Sequence, residues 1–197
     1  MAKTNANDIR FAPHGRILMA TANTAMPTLP APANAFDETT ALSGFTDLGY
    51  VSEEGAEIVP SLATNDIPVW QSAAAATTVI TGAGLTVAFR LMQFDADSTA
   101  LFFGGTWKKN EGAAGDPVTS TLTLPSSPDL ITKALIVMWG DSKRVAALYI
   151  PRAQVSEREG FTLTRTDPNA LSMTFKALDA NGKLGDLVVS GDMTAAA

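Results

Sequence analysis

A chain of 197 residues with a net charge of −6 and no cysteine excludes disulfides, thiolate metal sites and a cysteine nucleophile. It shows no basic cluster for neutralising nucleic-acid phosphates. Its 46% hydrophobic fraction is ordinary for one globular domain, but its 17% charged fraction falls below the usual ~25% and points to surface hidden in an oligomer.

The N-terminal twenty residues lack the apolar core of a signal peptide, and no apolar run approaches the ~18 residues of a membrane helix. A soluble chain made in a cytoplasm, without membrane insertion, is the expectation. Charge is unevenly placed. No Lys or Arg occurs from Ile17 to Phe89, a stretch holding Asp37, Glu38, Asp47, Glu53, Glu54, Glu57 and Asp66. Such asymmetry implies an acidic surface with a purpose, or an acidic face that meets a neighbour's bases.

Residues 1–40 read as an N-terminal arm. Within it, Thr21 to Thr40 is rich in Ala, Pro, Thr and Asn, and its prolines forbid a helix or central strand. Such a segment is loose alone and orders against a neighbour. Region 39–63 reads as a long loop or hairpin: a strand from Phe45, a turn at Glu53-Glu54-Gly55 and a return from Ile58. A strand at 64–71 follows, with Pro68 marking an edge or bulge. Thr77 to Thr81 and Leu85 to Phe94 read as strands around a Gly82-Ala83-Gly84 turn. In the second of these, Leu85, Val87, Phe89, Leu91 and Gln93 share one face.

The segment 97–105 reads as a short helix, capped by Asp97 and stopped by Gly104. A polar loop at 108–116 and a strand at 118–124 come next. Then 134-ALIVMW-139 and 144-RVAALYI-150 flank a Gly140-Asp141-Ser142 turn, a clear hairpin. ALIVMW is apolar on both pleat faces, so both need cover, from this chain or from another subunit. Leu135, Val137 and Trp139 are therefore candidates for subunit contact. A last hairpin is expected from 171–178 and 186–190 around Asp179 to Gly182, with a loose tail at 191–197. Many short strands and one helix indicate a mainly β fold: a two-sheet β-sandwich or barrel with one short flanking α-helix and extended arms.

Catalytic and metal signatures are sparse. His14 is the only histidine, so a Ser–His–Asp triad would depend on it. Phosphate-loop and zinc-protease patterns are absent. Asp179 to Lys183 begins like a calcium loop, but Ser190 stands where the closing Glu belongs. Asp47, Glu53, Glu54 and Glu57 could serve as a glycosidase pair, a hard-cation site, or a solvated, repelling face. The Glu53–Glu54 pair falls at an expected turn, open to solvent, and no ligand spacing stands out, which favours the solvated face. Trp70, Trp107 and Trp139 read as core or interface anchors before sugar platforms. No cofactor is expected, and an enzyme is the weakest reading.

The order of features carries a resemblance. Gly15 to Ala20 (GRILMA) leads to the Pro/Ala-rich arm, then TDLGYVSEEG, ATNDIPVWQS (Ala63 to Ser72) and LTVAFRLMQFDADSTALFFGG (Leu85 to Gly105). This resembles the major tail protein, or tail tube protein, of long-tailed bacteriophages, most strongly from Thr46 to Gly105. The resemblance implies one tail tube domain over 1–197 and a structural subunit of the virion tail, assembled in the host bacterial cytoplasm. It implies hexameric rings that stack into a hollow tube around a tape-measure protein. Tail-tip and tail-terminator proteins would be its other partners, and double-stranded DNA would pass without specific binding. Asp47, Glu53, Glu54 and Glu57 would then lie on the lumen wall or at the ring-to-ring contact. Two other functions fit the same β texture: a carbohydrate-binding or decoration module on a virion or cell surface, and a secretion-system tube protein.

Overall fold

The computed structural model describes residues 9–112, 117–127, 130–166 and 168–190. The expected tail at 191–197 and part of the polar loop at 108–116 lie outside them. In chain order the elements are β1 (His14–Thr21), β2 (Thr46–Asp47), β3 (Val51–Val69), β4 (Ser72–Leu91), α1 (Ala96–Phe103), β5 (Trp107–Asn110) and β6 (Thr119–Leu122). They continue with β7 (Thr132–Gly140), β8 (Val145–Arg158), β9 (Leu171–Ala177) and β10 (Asp186–Val189). The principal sheet runs β2-β1-β7-β8-β9-β4-β3, with β10 on β8, and all its pairings are antiparallel; β5 and β6 form a separate ribbon.

One strand builds the two layers. The first half of β8 pairs with β7 on one side and β10 on the other, and β7 keeps its place beside Ala153 and Gln154 beyond a register shift. Its second half, from Ala153, pairs with β9. The pairing changes around Pro151, which has no N–H to give a ladder, opposite a register shift in β7. The first layer is thus β2, β1, β7, β10 and the start of β8; the second is the end of β8 with β9, β4 and β3. Between them lies the larger core. Ile17, Leu135, Val137, Leu148 and Ile150 meet Val87, Phe89, Met173 and Phe175 there. Phe89 and Phe175 stack at 5.3 Å.

The alternation along 85–94 holds: Val87, Phe89 and Leu91 are buried, while Arg90 is exposed. Helix α1 closes one side of this core with Leu101 and Phe102. Its cap sits two residues earlier than expected. Asp95 accepts from Ser98 N at 2.8 Å, and Ser98 Oγ accepts from Asp95 N at 3.1 Å, a reciprocal box. Asp97 lies in the first turn, where its charge favours the helix N-terminus.

A second core lies on the opposite face of the first layer. Leu18, Ile136, Met138, Ala147 and Tyr149 are covered there by Ala35, Leu42 and Phe45, with Met26, Leu29 and Phe36 at the margin. This revises the reading of 1–40 as one arm. Residues 14–21 are a strand held between β2 and β7, and the Pro/Ala-rich segment folds onto its own sheet. Arg16 fastens it: Nε donates to Asp47 Oδ2 at 2.7 Å, and Nη1 donates to the carbonyls of Ala35 (3.1 Å) and Thr40 (2.9 Å).

Three turns differ from expectation. Glu53-Glu54-Gly55 is a bulge inside β3, since Val51 faces Leu91 and Ala56 faces Phe89, with Gly55 at φ 72°. Gly82 and Gly84 lie within β4, opposite Ala63 and Ser61. The chain reverses at Trp70-Gln71 instead, so 51–91 is a single long hairpin. Pro68 falls on the unpaired edge at a register shift, as expected. Finally, β9 and β10 do not pair with each other. The turn at Asp179 to Gly182 forms, with Asn181 and Gly182 at positive φ, but it delivers the two strands to successive stretches of β8.

Candidate assembly surfaces

The most exposed part of the molecule is the far half of the β3–β4 hairpin. From Val59 to Gly84 the ribbon carries one charged residue, Asp66. Its rungs pair Val59 with Thr86, Leu62 with Ala83, Thr64 with Ile80, Asn65 with Val79 and Ile67 with Thr77. Leu62 is 63% exposed, Ile80 68% and Trp70, at the tip, 99%. Water is a poor neighbour for such a row, since burial of apolar area is the main favourable term in association. Sequence reasoning divided this ribbon between two hairpins and so missed it as a unit. The signal was the near absence of charge over 59–84.

A groove opens at the root of the hairpin, where β3 passes β1 and the end of β7. Its lining includes His14, Arg16, Tyr50, Glu53, Glu54 and Trp139, over a floor of Val51, Ala56 and Ile58. The Tyr50 hydroxyl donates to Glu38 Oε1 at 3.1 Å, and that carboxylate pushes the phenol pKa up. Tyr50 N donates to Gln93 Oε1 at 2.8 Å. His14 packs its ring 5.6 Å from Phe36.

The expected site residues separate. Asp47 is bound to Arg16 and accepts from Gly49 N at 2.8 Å. Glu54 pairs with Arg90 at 3.2 Å in solvent, and Glu53 stands beside it on the bulge. Asp47, Glu53 and Glu54 share the groove. Glu57 does not: it lies opposite Ala88, and Ala88 opposite Thr174, on the outer face of the second layer. That face holds half-buried Thr86, Ala88, Ser172 and Thr174 with exposed Arg90 and Lys176, and nothing in the described residues covers it. Leu135 (0% exposed) and Val137 (5%) are enclosed in the larger core. Of the three residues expected at a subunit contact, Trp139 alone keeps exposed surface, and it faces the groove. ALIVMW is covered on both faces by its own chain.

Among the described residues, no group of three or more His, Asp or Glu could hold a metal ion, and no helix is long and apolar enough to cross a membrane. Arg16 meets Asp47, Arg90 meets Glu54, and the single His meets a Phe ring. The large exposed features are apolar strands and an open sheet face. These are the surfaces of a structural protein. The chain matches the family described as phage tail tube protein over residues 2–196 and belongs to that family. No curated protein matches it in sequence. Two solved structures show partial likeness, each at 10% identity. One is described as the tail of an empty GTA particle computed with helical refinement in C6 symmetry, with a TM-score of 0.41 over 76% of this chain and 88% of that one. The other is described as the virion of a native gene transfer agent particle, with a TM-score of 0.39 over 75% and 89%.

Proposed function

We propose that this tail tube protein is the repeating subunit of the tube: six copies close into a ring, rings stack around a tape-measure protein, and the hollow assembly conducts viral DNA into the host. The observation that carries the self-assembly is the ribbon from Val59 to Gly84, an exposed two-stranded apolar surface that a lone subunit cannot cover. Closed rings that also stack need contacts between different faces of one subunit. The ribbon and the bare outer face of the second layer are two such faces.

The bare face suits a channel wall. Hydroxyl and small side chains dominate it, and Arg90 and Lys176 are offset by Glu54 and Glu57. DNA would meet no concentrated positive charge, so few counterions are released and the duplex slides. On this reading the four acids divide. Glu57 faces the conduit, Glu54 bridges that face and the groove rim through its pair with Arg90, and Asp47 and Glu53 stand at a contact between subunits. Reversing Glu53 and Glu54 to Lys should impair stacking; tails of normal length and infectivity would count against that assignment.

Electron microscopy of the purified protein and of virions tests the whole proposal: rings and tubes are expected. Protein that stays monomeric even with tail-tip and tape-measure proteins present would overturn it. Trp70 alone favours a second reading, a carbohydrate-binding module, since an exposed indole can stack on sugar. A glycan screen that returns specific monomer binding would support that reading instead.

A further inference from the structure

We propose that the tip of the hairpin, Ile67 to Gln71 with Trp70 at its centre, docks into the root groove of a second copy, against Trp139 and the Glu53–Glu54 bulge. This rests on the tube reading above and names the partner surfaces for it. The two features lie at opposite ends of one ribbon. From Ile58 at the groove to Trp70 at the tip, β3 spans roughly 40 Å at ~3.3 Å per residue. A tip therefore cannot reach its own groove. A second copy, displaced along the ribbon, can present its groove to the tip of the first. The same step repeats from copy to copy, the head-to-tail contact that builds an open stack.

The chemistry of the two surfaces matches. The groove has an apolar floor of Val51, Ala56 and Ile58, an aromatic side in Trp139, and a rim of acceptors in Glu38, Glu53 and Glu54. Its fitting occupant is an apolar body with N–H donors and no negative charge. Residues 67–71 (IPVWQ) are uncharged; Trp70 offers one indole N–H and Gln71 an amide NH₂. Among the described residues no strand lies on the outward edge of β3 beside the groove, so an extended tip could also find backbone partners there. A Trp seated in such a pocket is a typical energetic anchor.

Because the chain has no native cysteine, the test is clean. Tubes of the Gln71→Cys/Glu53→Cys variant are oxidised and run on a non-reducing gel. The expected result is a ladder of dimers, trimers and higher species, with each single-cysteine variant stopping at dimers. Normal tubes without the ladder would overturn the docking while leaving the tube reading intact. Wild-type protein that forms no tubes would overturn the tube reading itself. Trp70→Ala is the independent arm. Its thermal unfolding should match wild type because the side chain touches nothing, while the concentration needed for assembly rises about tenfold or more. Assembly at the wild-type concentration would overturn the role of Trp70.

Discussion

The hairpins β7–β8 and β3–β4 are built from similar apolar material and meet opposite fates. In β7–β8, Ala134 to Met138 and Val145 to Ile150 are buried on both pleat faces. One face lies in the larger core, the other under the segment around Leu42 and Phe45. The near half of β3–β4 shares that larger core through Val87 and Phe89, and beyond Val59 the same two strands run on exposed, with none of the described residues over them. The difference lies in what the chain has left to cover each surface with. Residues 22–45 cover one face of the first layer, and among the described residues no segment covers the ribbon. Apolar β surface therefore stabilises the subunit in the first hairpin and is held for other subunits in the second.

The largest expected effect breaks the second hairpin without touching the first. Replacing Leu62 and Ile80 together by Asp should leave the urea midpoint of the subunit nearly unchanged, since exposed substitutions usually stay within about 0.5 kcal/mol. Assembly should need at least about a hundredfold more protein, because two apolar side chains lose their burial against a neighbour. Sedimentation and electron microscopy read the outcome. Normal tubes would mean that the ribbon is not a contact surface.

Phe175→Ala inverts that result. The ring is fully buried and stacked on Phe89, so truncation should cost about 3–5 kcal/mol of subunit stability. A midpoint close to wild type would show that the larger core is not where the subunit's stability lies.

Arg16→Ala should have an intermediate effect, about 1–3 kcal/mol, by leaving the Asp47 carboxylate and the Ala35 and Thr40 carbonyls without their donor. Hydrogen exchange should quicken in 26–45 while β9 stays protected. Arg16→Lys should recover only part of the loss, because an ammonium cannot reproduce the guanidinium fork that reaches the Asp47 carboxylate and the Ala35, Asp37 and Thr40 carbonyls.

What the sequence revealed follows from how local each signal is. The period of two placed Val87, Phe89 and Leu91 inside, and Pro68 announced an edge. ALIVMW declared that both of its faces needed cover. The source of that cover, this chain or another subunit, stays open in the sequence because residues 22–45 carry no regular period. Packing of Leu42 and Phe45 against Ile136 is a long-range contact that propensity does not register. Turns failed for a related reason. Glycine relaxes the backbone equally well in a turn, in a bulge (Gly55) or in a tight rung (Gly84), and only the partner strand decides which. Clustering of the acids was half legible: Asp47 and Glu57 are ten residues apart but face different surfaces, because Asp47 lies on β2 beside β1 in the first layer and Glu57 on β3 beside β4 in the second.

Tyr149→Phe is the mildest test, and it probes the cover on the first layer directly. The Tyr149 hydroxyl donates to the Thr24 carbonyl at 2.5 Å, and its ring meets Phe45 edge-on at 6.4 Å. Phenylalanine keeps the ring and loses the bond, so about 1 kcal/mol of stability should go at neutral pH. Burial also raises the Tyr149 pKa above 10.0. In the unfolded chain the phenol ionises first, so the folded state then holds the extra proton and stability falls as pH climbs. This contribution is complete below the unfolded pKa and is lost as pH rises through the folded one. The phenylalanine variant has no such loss at this position. The gap between wild type and variant should therefore narrow, and could change sign, as urea melts move from neutral pH to above about 10. Tyr50 is raised as well, by Glu38, but it is present in both proteins and cancels in the difference. A gap independent of pH would mean that water reaches the hydroxyl, and that the segment over the first layer opens as readily as the bare ribbon.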